Sequence, residues 1–525
     1  VADDPDFANP IPAEFLPREK KIEETTRKTA AMIRKTSTII DRSKYNEYSH
    51  LLNEVVGIDG FPASLHVGMF LPALHGQADD DLAAEMIPRA MRFEILGTYA
   101  QTELGHGTNL RELETTATYD KAKQEFIMNT PTRTAMKWWP GNLGKMANYA
   151  VVAARLIIEG KNYGTHNFLV QLRCEETHKP LPGITVGEIG PKFSYNTTDN
   201  GFLAFENVSP DGVYTRPMHD KLSYGAMVTV RTVMISGQGL FLAQACTVAI
   251  RYSAVRRQGR IENGGREVHI MDYQTQQYRL FPQLALAYAT LFTGAEVRDL
   301  YQKTLDAISK GNVDLLPDLH ALTSGLKSVV THSVGLGIEQ YLIKSAARAT
   351  KGESLSPSVA YLGRKGAPKK SLIGCVSGST ETEAARVHTR LYMCGVFAKR
   401  VSTTVSQSTR DALSRLLSLF LHYTCVDLAS HLLEDGYCNG DQMKYLKKRL
   451  YEDLREIRSI AVSLVDSFDF TDRYLNSVLG RRDGNVYESL YEWAKKSELN
   501  YTDVLPAFTK HMKPMMEANR QQSKL

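Results

Sequence analysis

Along this chain the spacing of apolar residues changes twice, and that change constrains the fold more than any other feature. Up to about residue 96, apolar clusters around Leu65–Leu74 and Leu82–Leu96 follow a polar Lys/Arg/Glu segment at 18–35, a helical pattern. The lead-in from Ala8 to Glu14 is non-helical because its prolines block helix. From Tyr99 the runs become short and strand-like, at Glu125–Asn129, Tyr149–Ala154, Asn167–Leu172, Gly183–Val186 and Gly201–Phe205, each bounded by Gly, Pro or Asn. Beyond Pro217 helical spacing returns over Leu222–Arg257, Tyr273–Ile308 and Leu319–Gly337, and again from Thr380 to the C-terminus. The polar segments Gly352–Pro357 and Gly363–Lys370 between these blocks read as a linker. The expected fold class is α+β. It comprises an N-terminal helical domain (1–98), a central antiparallel β domain (99–217), a helical bundle domain (218–350) and an additional C-terminal helical domain (351–525). A chain of 525 residues is long enough for each part to bury its own core.

Composition excludes several classes. A net charge of +5 mildly favours an anionic ligand and falls short of a nucleic-acid-binding signature. The six cysteines show neither a Cys-x-x-Cys pair nor regular spacing, so neither a zinc site nor a disulfide framework is expected, and no metal is assigned. No run approaches the length of a membrane span, and the N-terminus has no apolar signal region. Ser523, Lys524 and Leu525 read as a peroxisomal address recognised by an import receptor.

The most unusual stretch runs from Gly97 to Leu110 and is followed by Lys137-Trp138-Trp139-Pro140-Gly141. Gly105-His106-Gly107-Thr108 offers unobstructed backbone N–H groups and a small hydroxyl, and adjacent indoles offer flat apolar area, which together suit a planar, hydrogen-bonding ring system. Taken alone, the same residues fit a tight turn between strands and a pair of core tryptophans.

Read as whole words, YAQTELGHGTNL (99–110), LETTATYD (113–120), KWWPGNLGK (137–145) and HKPLPGITVGEIGPK (178–192) resemble the peroxisomal acyl-CoA oxidases of the acyl-CoA dehydrogenase superfamily. The likeness continues in RYSAVRRQG (251–259), DYQTQQYRLFP (272–282), LHALTSGLK (319–327) and DGNVYESLYEWAKKSELN (483–500), and so covers most of the chain. It implies FAD held without a dinucleotide fingerprint, with Tyr99, Ala100, Gln101, Thr102, Gly107, Thr108 and Gly141 at flavin-contact positions. Thr102 is the most attractive hydroxyl donor, against the alternative that it bonds its own backbone. Arg256 and the segment Gln276, Gln277, Tyr278 and Arg279 fall where relatives hold the rest of FAD across a dimer interface, as a pyrophosphate requires cations. Lys221, Leu222, Ser223, Tyr224 and Arg231 match acyl-CoA contacts; ten residues apart on one continuous helix, Lys221 and Arg231 would share a face.

The activity so implied is oxidation of acyl-CoA to trans-2-enoyl-CoA with O₂ reduced to H₂O₂, in a peroxisomal matrix homodimer. Likeness to nematode members adds ascaroside-CoA as a substrate and ATP as a bound nucleotide. Two rival readings are an acyl-CoA dehydrogenase serving an electron-transfer flavoprotein, and an inactive CoA-binding partner in a heterodimer. The expected glutamate base for the α-proton is not found, because Gly337-Ile338-Glu339-Gln340 runs directly into Tyr341, where relatives carry an intervening stretch. A similar jump follows Val208. The reading preferred from sequence is that connecting residues, with the base, belong between Gln340 and Tyr341.

Overall fold

The structure is a computed structural model; it describes the chain except for residues 1–3, 9–10, 37–50, 53, 58–59, 108, 193–194, 210–224, 261–264, 350–378, 435 and 523–525. The proposed linker and the terminal Ser523, Lys524 and Leu525 therefore lie outside the described residues.

The N-terminal part contains helix α1 (Arg18–Thr36), a widened turn at His66–Phe70, α2 (Leu71–Gln77) and α3 (Asp80–Met91). Asp79 caps α3, its carboxylate accepting from the Leu82 N–H. The buried Phe70 ring then packs on the first strand, β1 (Gly97–Ala100). A Cβ on Gly97 would stand 2.3 Å from that ring, so only glycine lets the strand approach it.

Two sheets follow. In the larger, β5 (Tyr149–Ile158) is the centre: one edge takes β1 along Tyr149–Val152 and then β2 (Thr116–Asp120) along Arg155–Ile158. The other edge takes β6 (Lys161–Gln171), and β3 (Glu125–Asn129) pairs with β2. The pairs β1–β5 and β2–β5 are parallel, so the sheet is mixed rather than antiparallel as expected. The reason lies in the connections. Long crossovers separate β5 from β1 and from β2, and only hairpin neighbours such as β2–β3 and β5–β6 are forced to be antiparallel. The smaller sheet, ordered β4 (Lys137–Trp138), β8 (Gly201–Phe205), β7 (Ile184–Glu188), is antiparallel throughout. The expected strands at 125–129 and 201–205 are present with those limits, whereas β1, β2 and β4 carry no clear alternation and escape a pattern search.

The helical part is built on α4 (Gly225–Val255), α5 (Gln274–Ile308) and α6 (Leu316–Ala349), against which α7 (Ser379–Thr403), α8 (Gln407–Asp427) and α9 (Gly440–Arg458) pack. One continuous core includes Leu242, Phe281, Val334, Phe397, Leu416 and Leu454 from these six helices. Contrary to expectation, one helical stretch, Met227–Val255, is long and apolar enough to span a membrane. Two-thirds of its apolar window is buried within the protein, so neighbouring elements cover most of the apolar surface of α4. The chain also passes from Gln340 to Tyr341 inside the single helix α6, so the expectation of intervening residues fails. Both flanking words have helical spacing, and they join without a break.

Candidate active site

The predicted flavin contacts gather at the end of β1 and around β4. Tyr99 and Ala100 are buried on β1, and the Tyr99 hydroxyl accepts from the Asn167 amide at 3.2 Å. Immediately beyond the strand, the Gln101 carbonyl accepts from Lys137 Nζ (3.2 Å) and the Thr102 carbonyl from the Trp138 N–H (2.9 Å). Among the described residues the Thr102 hydroxyl has no hydrogen-bond partner, and the residue is half-buried. It is not spent on its own backbone and remains free to donate. Gly141 is buried, its carbonyl accepts from the Thr98 hydroxyl (2.7 Å), and a Cβ there would meet the Thr198 methyl at 3.3 Å. Next to it Asn142 is fully buried with both side-chain amide atoms lacking a partner. Gly107 is exposed with open space where a Cβ would be, and Thr108 lies outside the described residues.

Two details depart from the sequence reading. The N–H groups of Leu104 and Gly105 are taken by the Met136 and Thr134 carbonyls (2.8 and 3.0 Å), and that of His106 by the Glu103 carbonyl (3.2 Å), so the turn is not a set of free donors. The adjacent tryptophans do not form one platform either. Trp138 stacks on Phe202 with ring centres 5.9 Å apart, whereas Trp139, at φ +94°, turns toward solvent. Trp138 is the last residue of β4, and the positive φ at Trp139 takes the chain out of the strand and turns its ring away.

Beneath this segment lies a charge pair that the sequence reading did not single out. Lys137 and Glu103 are both fully buried, with Nζ 3.0 Å from Oε1. Burial opposes ionisation of Glu103, but Lys137 and the donors from Glu114 and Thr115 outweigh it and hold the carboxyl below its ordinary range. Burial pulls Lys137 down to about 8. Glu103 is thus committed to its partners and is no candidate for the missing base.

A second group forms where α4 ends and α5 begins. Arg256 follows Val255, and its guanidinium donates to the Tyr487 hydroxyl at the long distance of 3.5 Å. Gln276 donates to the Ser253 hydroxyl (3.3 Å) and the buried Gln277 to the Met271 carbonyl (3.2 Å). Arg279 makes no ion pair with a described residue. Tyr278 is directed elsewhere, toward Tyr423 and Tyr451 of the C-terminal helices. Met227 and Val230, near the start of α4, pack against the apolar cluster that includes Tyr99, while Arg256 follows the other end of the helix. At 1.5 Å per residue, Val230 and Arg256 are about 40 Å apart along the helix.

Of the predicted acyl-CoA contacts, Arg231 lies on α4 and donates to the Ser324 hydroxyl (2.8 Å). Lys221, Leu222, Ser223 and Tyr224 lie outside the described residues, and α4 is described only from Gly225, so the shared helical face with Arg231 has no support; even on a continuous helix, ten residues at about 100° each would leave the two about 80° apart. A cavity of about 160 Å³ between α5, α6, α7 and α8, floored by Leu286, Met393 and Phe420, is lined by none of the residues singled out from sequence.

Family models match nearly the whole chain: acyl-coenzyme A oxidase N-terminal at residues 1–96, acyl-CoA dehydrogenase middle domain at 98–208, acyl-CoA oxidase C-alpha1 domain at 224–343 and acyl-CoA oxidase at 375–517. Acyl-coenzyme A oxidase acox-1.1 of Caenorhabditis elegans is 46% identical over 622 residues, covering 99% of this chain and 92% of the relative. The chain belongs to the acyl-CoA oxidase family. Members of this family are FAD-dependent oxidoreductases. Peroxisomal acyl-coenzyme A oxidase 1 of mouse is 36% identical, covering 98% of this chain and 94% of the relative. The solved structure of C. elegans acyl-CoA oxidase-2 bound with FAD, ascaroside-CoA and ATP superposes with a TM-score of 0.92 at 42% identity, covering 99% of this chain and 92% of that one. The alignment with acox-1.1 spans 622 residues against a chain of 525, so this acyl-CoA oxidase lacks internal segments that its relative carries. The direct junction of Gln340 with Tyr341 agrees with such a loss.

The residues present fit FAD. A free hydroxyl at Thr102, an unpartnered amide at Asn142 and an accessible backbone at Gly107 suit the polar edge of a flavin, and Arg256 and Arg279 suit a pyrophosphate.

Proposed function

We propose that this chain is an acyl-CoA oxidase of the peroxisomal matrix, oxidising acyl-CoA to trans-2-enoyl-CoA with O₂ reduced to H₂O₂. The observation that supports the reading is the presence, on one chain, of two groups suited to FAD, one following β1, whose Tyr99 shares an apolar cluster with the start of α4, and one following the far end of that helix, about 40 Å further along it. In a homodimer the β1/β4 group of one copy and the Arg256/Arg279 group of the other enclose one FAD. An exposed stripe at Leu505, Phe508, Met512 and Met515, spaced by three and four residues, offers apolar area for such an association. When bound, FAD supplies the two-electron acceptor that O₂ reoxidises. The protein's part is to place the Thr102 hydroxyl at the flavin edge and to hold the CoA moiety through Lys221, Ser223, Tyr224 and Arg231. Ascaroside-CoA as substrate and ATP as a bound nucleotide follow from the nematode relatives, and Ser523 to Leu525 serve the import receptor.

A second reading is favoured by one observation. With Gln340 and Tyr341 adjacent in α6, the segment expected to carry the glutamate base has no place in this chain. The chain then acts as an FAD- and acyl-CoA-binding partner that pairs with an active oxidase. Purified protein supplied with FAD and acyl-CoA separates the two in a peroxidase-coupled assay. Sustained peroxide release supports the oxidase. Bound flavin without turnover, and activity gained only on mixing with a complete relative, supports the partner subunit, since loss of a general base typically costs about 10²–10⁴-fold.

A further inference from the structure

We infer that the buried Glu103–Lys137 pair is the positioning device of the flavin-edge segment Gln101–Thr102, an inference that rests on the FAD reading above. The pair's contacts reach every strand that frames this segment. Glu103 Oε1 accepts from Lys137 Nζ (3.0 Å), the Thr115 N–H (2.9 Å) and the Thr115 hydroxyl (2.7 Å); Oε2 accepts from the Glu114 N–H (2.8 Å) and lies 3.1 Å from His106 Nδ1. The carboxylate is saturated. Lys137 spends a second proton on the Gln101 carbonyl (3.2 Å), and the next residue, Trp138, donates its N–H to the Thr102 carbonyl (2.9 Å). Three stretches distant in sequence, the end of β1, the entry to β2 and strand β4, are thereby tied at one point.

The consequence for Thr102 is specific. The Gln101 carbonyl before it, its own carbonyl, and the side chain of Glu103 after it are all engaged, whereas the Thr102 hydroxyl and the Gln101 amide have no described partner. The backbone is clamped from behind and the groups that face a ligand are left free. A buried ion pair contributes little net stability, because desolvation offsets its attraction; what it supplies is a single geometry. That is the requirement of a site that must hold a donor within a fraction of an ångström of a cofactor edge.

The test compares the parent chain with Lys137→Met, Glu103→Gln and the double variant. Three readouts are taken: FAD affinity by quenching of flavin fluorescence, the visible spectrum of the bound flavin, and the thermal midpoint of the apo chain. A single substitution strands a buried charge and lowers the apo midpoint, so the double variant, which strands no charge, is the deciding one. The amide NH₂ that Glu103→Gln introduces still faces the Glu114 or Thr115 N–H, so the expected behaviour of the double variant is an apo midpoint above that of either single variant, with FAD affinity weakened on the order of tenfold or more and a shifted flavin spectrum. Recovery of affinity and spectrum together with the midpoint would make the pair merely structural and overturn the inference. A parent chain that binds no flavin at all would instead overturn the FAD reading on which the inference stands.

Discussion

His66 shows how one buried side chain couples the helical N-terminal part to strand β1. Its ring is fully buried; the Gly97 N–H donates to Nδ1 (2.9 Å), so the proton resides on Nε2, which donates to the Ala90 carbonyl (3.0 Å). Burial pushes the ring down to about 4, because a second proton would have to displace the Gly97 amide in a dry environment. In the unfolded chain the ring titrates near 6.5. Between these values the unfolded chain binds more protons, so stability is lost as pH falls from about 6.5 to about 4, by on the order of 3 kcal/mol in total. Urea unfolding of the parent and of His66→Gln across this range should show the variant with the shallower pH slope; equal slopes would show that His66 is not held neutral. A second residue-scale expectation concerns Arg256. Arg256→Ala removes a charge-assisted bond worth about 1.5–3 kcal/mol and should weaken FAD retention about 10–100-fold. Gel filtration of the loaded protein measures this, and undiminished retention would remove Arg256 from the site.

At the scale of elements, the helices that carry the site are set by where small residues allow contact. Gly294 on α5 faces Ser236 on α4, and an added Cβ would stand 2.9 Å from the serine Cα, so Gly294→Ala must push two core helices apart. Overpacking of this kind costs about 1–3 kcal/mol. Gly237, one residue further along α4, has open space where its Cβ would be, and Gly237→Ala should be neutral or stabilising by up to about 1 kcal/mol through helix propensity. Thermal unfolding of the two variants should therefore move in opposite senses. The same contrast explains what could be read beforehand. Strands β3 and β8 announce themselves by composition and bounding turns, whereas β1, β2 and β4 are recognisable only once β5 and β8 lie beside them.

For the whole molecule, the proposed sharing of each FAD between two chains can be tested directly. A Gly141→Val chain, with its flavin edge obstructed against Thr198, and an Arg256→Ala chain should each bind FAD poorly as homodimers. Dissociated and re-annealed together, they form heterodimers in which one site combines both defects and the other combines two intact halves. Flavin binding should then reappear in the mixture at up to half the parent's occupancy per mixed dimer. Absence of any recovery, with subunit exchange verified by differential tagging, would place both groups in one subunit's site.

Residue words and apolar spacing were sufficient to determine the family and the succession of helical, β and helical parts, because each depends on local composition and period. The mixed sheet, the opposed tryptophans, the occupied N–H groups of the Gly105 turn and the Glu103–Lys137 clamp were decided only by tertiary structure. Each joins residues far apart in the chain, and neither spacing nor composition encodes which strand will supply the partner for a buried charge or an unpaired amide. The junction of Gln340 with Tyr341 belongs to both levels. The sequence exposes the missing base segment, and the fold shows that two helical words, once adjacent, continue as one helix because nothing between them breaks the hydrogen-bond ladder.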